Sequence, residues 1–303
     1  MGKRFWFLLI SGIIVLICII SLATLGLKPG IELSSGSVMT LRFEQKVVQS
    51  ELKQELDNLG YRNAVVQTTG EGDFLIRSVE LTTEAKAQLK GDLTAKFGPV
   101  EEKGFENVDP VIAKQTSRTA GIAVAVATVG ILLYIAWAFR KMPKPFRYGV
   151  CAIIALLQDA LVALGVFAIL GSILGWEVNL MFITGILAVI GYSINNTVVV
   201  FDRIRENLSK GISTNFEAVV NNSVVETLGR CLNTSLTTLL VIVALILFIG
   251  ASIQNFAMVM LIGVISGTFT SSFVAPSLLV VWERKEWGRL LKLPSTSTAK
   301  AKG

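Results

Sequence analysis

The stretch Gly191–Asn207, GYSINNTVVVFDRIREN, decides how this chain is read. An apolar helix carries two adjacent amides, Asn195 and Asn196, and then breaks into Asp202, Arg203, Arg205 and Glu206. At helical spacing Tyr192, Asn196, Val199 and Arg203 share one face. Gly191, Asn195, Val198 and Asp202 share the neighbouring one, so both amides are expected to turn toward other helices rather than lipid. Two readings stand side by side: the amides bond across transmembrane helices as packing glue, or they belong to a polar site inside the membrane.

Composition agrees with a membrane setting. The chain is 52% hydrophobic and 17% charged, with apolar runs of about twenty residues, the length that spans a bilayer. Its net charge is +6, yet the polar region Lys28–Arg118 holds 12 basic and 14 acidic residues, so the positive excess lies in the short loops. Histidine is absent, and Cys18, Cys151 and Cys231 fall in or at the start of apolar segments without ligand spacing. Neither a disulfide framework, a metal site nor histidine acid–base catalysis is expected, and the chain reads as a non-enzyme with no catalytic residue.

Lys3 and Arg4 precede an apolar run from Phe5 to about Leu27. Ser21 and Ala23 imitate a signal-peptide cleavage site, but the run exceeds the usual h-region of about 7–15 residues, so it reads as an uncleaved first span. From Pro29 to Arg118, strand alternation at Val38–Phe43, a helical face of Val48, Leu52, Leu56 and Leu59, strands at Ala64–Thr68 and Phe74–Val79 around Gly70 and Gly72, a helix at Thr83–Phe97 and a strand after Pro99 give the order βαββαβ. That order predicts a small α+β ferredoxin-like domain. Its charges are mixed and it lacks a Gly-rich phosphate loop, which favours docking or substrate contact, with a plug between spans as the plainer alternative.

Further spans are expected at Thr119–Phe139, about Gly149–Leu174, about Asn179–Phe201, Leu232–Ile249 and about Phe256–Trp282. Residues 202–230 form a cytoplasmic loop in this reading, with Phe216, Val219, Val220 and Val224 suggesting interfacial amphipathic helices. The domains are thus residues 1–28 (N-terminus and first span), 29–118 (external domain), 119–282 (five spans) and 283–303 (basic tail with Arg284, Lys285, Arg289, Lys292 and the anchors Trp282 and Trp287). Arg140, Lys141, Lys144 and Arg147 around Pro143, together with the tail, put both termini in the cytoplasm and leave the ferredoxin-like domain, the Trp176 loop and the Gly250 turn outside.

Asp159 lies near the middle of the third span, where an ionised carboxylate costs several kcal/mol unless paired, hydrated or protonated. It reads as a working acid or as a protonated packing residue. Arg230, at the fifth span beside Asn233, Thr234 and Ser235, is either an interior positive partner or a snorkelling anchor paired with Glu226. Gly263 and Gly267 have the spacing of a helix contact site, as do Gly171 and Gly175.

The opening stretch is similar to the fourth-span signature of the SecF family, whose usual wording is close to GYSINDTVVVFDRIREN. GIELSSGS (Gly30–Ser37) resembles the family's GIDFTGG; YIAWAFR (Tyr134–Arg140) and VNNSVVETLGRCLNTSLTT (Val220–Thr238) resemble its second-span end and its cytoplasmic-to-fifth-span motif. The resemblance runs from about Gly30 to Trp282. It implies a membrane all-α six-helix bundle, half of a resistance-nodulation-division-type transporter, paired with six helices of SecD and carrying the external domain. It further implies work in the bacterial cytoplasmic membrane beside the SecYEG channel, YajC and the SecA motor. There it helps pull unfolded secreted proteins across with a proton or sodium gradient, needing no other cofactor and no nucleic acid.

Three positions depart from the family wording: Asn196 stands for its acid, Gln158 for a common histidine and Asn255 for a frequent aspartate. An amide cannot release a proton. The ion-coupling candidates are therefore Asp159, Asn195, Asn196, Thr197 and Arg230, with Gln158, Asp202, Arg203 and Asn255 as supporting polar groups. Asp159 carries the load alone, SecD supplies the acids, or the Asn-rich site coordinates sodium through neutral oxygens. Two competing classes are a small-solute or lipid exporter of the same fold and a non-coupling structural subunit. An exporter would call for a larger external region than the roughly ninety residues present, fewer than a usual domain of about 100–150.

Overall fold

An apolar run in lipid satisfies its backbone only by closing hydrogen bonds within itself, and helices dominate this fold accordingly. The computed structural model describes residues 2–68, 72–142, 144–248 and 253–286. Gly70, Pro143, the Gly250 turn, Trp287, Arg289 and Lys292 lie outside the described residues. In chain order the elements are α1 (Arg4–Leu25), the single turn α2 (Ile31–Ser34), β1 (Gly36–Phe43), α3 (Gln49–Asn58), β2 (Val65–Thr68), β3 (Phe74–Ser78), α4 (Thr83–Phe97) and β4 (Val100–Val108). They continue with α5 (Pro110–Phe139), α6 (Pro145–Leu174), α7 (Leu180–Ser209), α8 (Phe216–Phe248), α9 (Gln254–Phe269), a π-helical turn (Thr270–Val274) and α10 (Ala275–Glu283). Six helical segments among the described residues are long and apolar enough to cross a membrane, the sixth being α9, the π turn and α10 together. The protein is a multi-pass membrane protein.

Two compact units divide the chain, and Leu27–Ala125 with Leu170–Ile183 make the smaller one. Its sheet has the order β2-β3-β1-β4 with every pair antiparallel, the ferredoxin-like arrangement that the βαββαβ order predicts. Strand alternation sends Met39 and Leu41 inward opposite Ile76 and Phe74, where Leu52 and Leu56 of α3 and Leu89 and Leu93 of α4 close the core. Thr82 caps α4 by accepting from the Ala85 N–H at 3.3 Å. Gly36 has φ of 123° and its missing Cβ would stand 2.7 Å from the Ser78 carbonyl oxygen, so only glycine fits there. The Trp176 loop belongs to this unit. Val178 donates to the Lys28 carbonyl at 2.8 Å, Gly30 to the Val178 carbonyl at 2.9 Å, and Leu180 to Oε2 of Glu32 at 2.8 Å.

The remaining residues form the helical unit. Phe139, Tyr148 and Phe201 meet in its main core, with Phe201 5.6 Å from Phe139 and 5.3 Å from Tyr148 between ring centroids. The α5 helix starts at Pro110, well before Thr119, because Asp109 accepts from the Val111 N–H at 2.6 Å and proline is suited to a first helical turn. Residues 202–230 are not a loop with separate amphipathic helices. The α7 helix continues to Ser209 and α8 begins at Phe216, so only 210–215 connect them. The apolar residues read as an interfacial face, Val219, Val220 and Val224, are buried in the bundle, where Ile204 of α7 also lies. One helix end ties several others: Glu283 pairs with Lys144 and Arg147, Arg284 with Glu217 at 2.7 Å, and Glu286 with Arg4 at 2.6 Å. Arg4 also reaches Glu217 at 2.7 Å, so the starts of α1, α6 and α8 share the last turns of the sixth span.

Candidate functional site

Gln158 and Asp159 are consecutive on α6, and both are buried, Asp159 with 0% exposure. Close approach of α7 and α9 builds the surroundings. A Cβ on Gly263 would overlap the Val189 side chain, and one on Gly267 would lie 3.2 Å from Cβ of Ser193 and 3.5 Å from Oδ2 of Asp159. These two glycines therefore let α9 settle against α7 at the depth of the carboxylate.

What meets Asp159 is a set of hydroxyls. Ser193 on α7 donates to Oδ2 at 2.5 Å, and Ser266 on α9 donates to Oδ1 at 2.8 Å. The Thr270 hydroxyl, from the π turn, lies near enough to interact with the carboxylate. Behind it runs a polar chain: Ser11 of α1 donates to Oε1 of Gln158 at 2.6 Å, and Nε2 of Gln158 donates to Oγ1 of Thr270 at 3.3 Å. With its lone pair occupied by Gln158, Thr270 has its own proton free for the carboxylate. Among the described residues no Lys or Arg pairs with Asp159, so the cage supplies dipoles but no compensating charge. The π turn has a local cause, since Pro276 has no N–H for the carbonyl of Ser272 and its ring crowds that position. Such turns recur at functional sites.

The other candidates fall in different places. Asn196 is 3% exposed, one turn along α7 from Ser193, and its Nδ2 has no hydrogen-bond partner. Thr197 is fully buried, with its hydroxyl given to the Ser193 carbonyl at 3.1 Å. Asn195 is exposed, contrary to the expectation that both amides face neighbouring helices, because adjacent residues point about 100° apart on a helix. Arg230 is exposed on α8 and enters no site with Asp159 or Asn196. Its expected partner Glu226 is held instead by Arg203 at 2.6 Å and by Asn207 at 2.8 Å. Asp202 pairs with Arg205 at 2.7 Å. Arg203 is ten residues beyond Ser193, about 15 Å along the helix, so Asp202 and Arg203 belong to the α7–α8 connection rather than to the cage. Asn255 opens α9, about 16 Å along the axis from Ser266, and is likewise separate. A second polar contact links Tyr192 to Ser235 at 2.8 Å and Ser235 to Thr268 at 2.5 Å.

The sequence reading missed Ser11, Ser193, Ser266 and Thr270. A faint signal existed, since Ser266 and Thr270 are four apart in an apolar span and so share one face, but hydroxyls in spans commonly bond only to their own helix.

The family model described as protein export membrane protein SecD/SecF, C-terminal, matches residues 89–285, and that of the SecD/SecF GG motif matches residues 20–47. The chain is 40% identical over 301 residues to the protein translocase subunit SecF of Thermobaculum terrenum, covering 95% of each. It is 38% identical to that of Anaerolinea thermophila, covering 96% of each. Against the protein translocase subunit SecDF of Bacillus subtilis it is 32% identical and spans 38% of that longer chain. Among solved structures, it superposes with a TM-score of 0.81 and 31% identity on SecDF of Thermus thermophilus, described as a translocon-associated membrane protein, covering 93% of this chain and 38% of that one.

Proposed function

The chain belongs to the SecD/SecF family of protein-export membrane proteins, as a SecF-like protein translocase subunit, and from that premise we propose that it draws on an ion gradient to help unfolded secreted proteins cross the cytoplasmic membrane. The observation that carries this reading is Asp159: a carboxylate with no exposed surface, in a span, held by hydroxyls and, among the described residues, balanced by no basic side chain. A group so placed changes its energy greatly on taking up or losing a cation, which is what coupling to a gradient requires. Asn196 and Thr197 are buried one turn along α7 from Ser193, whereas Asn195 and Arg230 lie exposed on their helices.

A SecD-like subunit is the proposed partner. The relatives named SecDF are longer chains of which this one matches 38%, which supports association with a SecD-like region. Asn195 and Arg230 lie exposed on apolar helices, where lipid would leave them unsatisfied, so a partner helix is the natural cover. Both termini face the cytoplasm in this reading, and SecYEG, YajC and SecA are the further partners that the family resemblance suggests.

The test uses vesicles holding the purified complex with proton and sodium gradients imposed separately, and follows uptake of a secreted substrate with Asp159→Asn beside the native chain. Loss of the gradient's contribution in the variant supports the proposal. Equal stimulation in both assigns Asp159 to packing and the chain to a structural role.

A further inference from the structure

We propose that the end of α5, with Arg140 and Lys141 at its head, is a binding site for one anionic phospholipid, whose phosphate the two basic groups hold and whose acyl chain lies along the helix. Such a site is separate from the hydroxyl cage around Asp159 and needs no ion gradient.

Apolar residues repeat along one face of α5. Val126, Val129, Leu133 and Trp137 follow one another at spacings of three and four, all of them exposed, and Arg140 continues the same line just past the helix end. Val129 and Arg140 are about 16 Å apart along the axis, which matches half of the roughly 30 Å hydrocarbon core. The face is therefore one leaflet deep, with its charge at headgroup level. Gly130 lies within the stripe, and nothing stands within 4 Å of where its Cβ would be, so the line of side chains has a notch in which a chain can settle.

The charges at the head of this face are unspent. Among the described residues Glu283 takes Lys144 and Arg147, and no carboxylate pairs with Arg140 or Lys141, both of them exposed. Basic groups placed at the membrane surface attract anionic lipid. The turn is also held in place, which separates a site from a loose basic loop. Met142 is buried and its N–H donates to the Phe139 carbonyl at 2.9 Å, pinning the segment to the bundle. The Arg140 guanidinium lies over the Trp137 ring, 4.9 Å from its centroid. Stacking fixes the plane of the guanidinium and leaves its N–H edge able to donate to two phosphate oxygens. Trp137, 59% exposed, and Phe146, 75% exposed, flank the turn as the aromatic rings that membrane interfaces favour.

Depth and charge together select lipid over a protein partner. The stripe from Val126 to Trp137 carries no polar group, so hydrocarbon satisfies it, whereas the exposed Asn195 and Arg230 of α7 and α8 call for a partner helix.

The experiment uses the full chain co-purified with its SecD-like partner, stripped of lipid in detergent and titrated with dioleoylphosphatidylglycerol or dioleoylphosphatidylcholine. Native mass spectrometry counts the bound lipids, which share their chains and differ in net charge. Arg140→Gln combined with Lys141→Gln is compared with Lys3→Gln, a basic residue at the start of another span. Native complex and control should bind phosphatidylglycerol alike. The double variant, still assembled with its partner, should lose one tightly bound phosphatidylglycerol, its affinity there falling about tenfold or more, with phosphatidylcholine binding unchanged. Unchanged phosphatidylglycerol binding in the double variant overturns the inference, as does an equal loss of both lipids. Cross-linking of Leu133→Cys to the partner subunit would place a protein helix on the face and overturn it too.

Discussion

Ser193 on α7 donates its hydroxyl proton to Oδ2 of Asp159 on α6 at 2.5 Å, joining the organising stretch of the sequence to a carboxylate that has no exposed surface. The contact depends on Gly267, which brings α9 to 3.3 Å of the same hydroxyl as measured from the position of its missing Cβ. Three helices therefore have to be in register before the acid has its partners.

Asp159→Asn removes a charge that the span stabilises only through dipoles, while retaining side-chain shape. Insertion and assembly should persist, with stability within about 1 kcal/mol of native by thermal melting in detergent. Gradient stimulation of secretion should vanish. A large fall in melting temperature would instead mean that the carboxylate organises packing.

Asn196→Asp should place a second carboxylate one helical turn from Ser193, and two acids in one dry site cannot both stay ionised. Stimulation should gain a new dependence on external pH, read against the native chain. Arg230 is exposed on α8, so it does not stand ready to hold the new charge. Vesicle assays with each gradient imposed alone read the effect, and unchanged dependence on both ions would leave Asn196 as helix glue.

Gly263→Ala should overlap the Val189 side chain and push α9 from α7, at about 1–3 kcal/mol in stability. Val189→Ala in the same chain should restore much of the loss by vacating that volume. Two additive decreases in melting temperature, with no rescue, would show that the helices are not held at this contact.

In the ferredoxin-like unit, Lys86 holds Glu102 at 2.5 Å and lowers its carboxyl pKa below the ordinary value of about 4.3. A depressed folded-state value means that the pair's contribution is present above the unfolded-state value and is lost as pH falls through the folded one. Hydrogen exchange along β4 should therefore accelerate as the medium is taken below about pH 4, and Glu102→Gln should flatten that acid limb. The effect is small because both side chains are partly solvated. An unchanged acid limb in the variant would remove Glu102 from the account.

The elements were legible in the residues because their signals are local. Uninterrupted apolar length marks six spans whatever surrounds them, and the alternation of Met39 and Leu41 against the spacing of Leu52 and Leu56 marks strand and helix within a few residues. The end of the fourth span was not legible. Asp202, Arg203 and Glu206 suggest a departure from membrane and helix together, yet the charges pair along and across α7 and α8, and both helices continue through them.

By itself the sequence determined the six spans, the βαββαβ unit, the buried acid and the family likeness. The tertiary structure alone decided that Asn196 turns inward while Asn195 turns out, that Arg230 stands apart, and that serine and threonine hydroxyls surround Asp159. Helical periodicity fixes the angle between two side chains on one helix, but the direction in which that helix faces is set by what packs on it. Here that is settled by contacts between residues far apart in the chain, Val189 against Gly263 and Ser266 against Asp159, which no local pattern encodes.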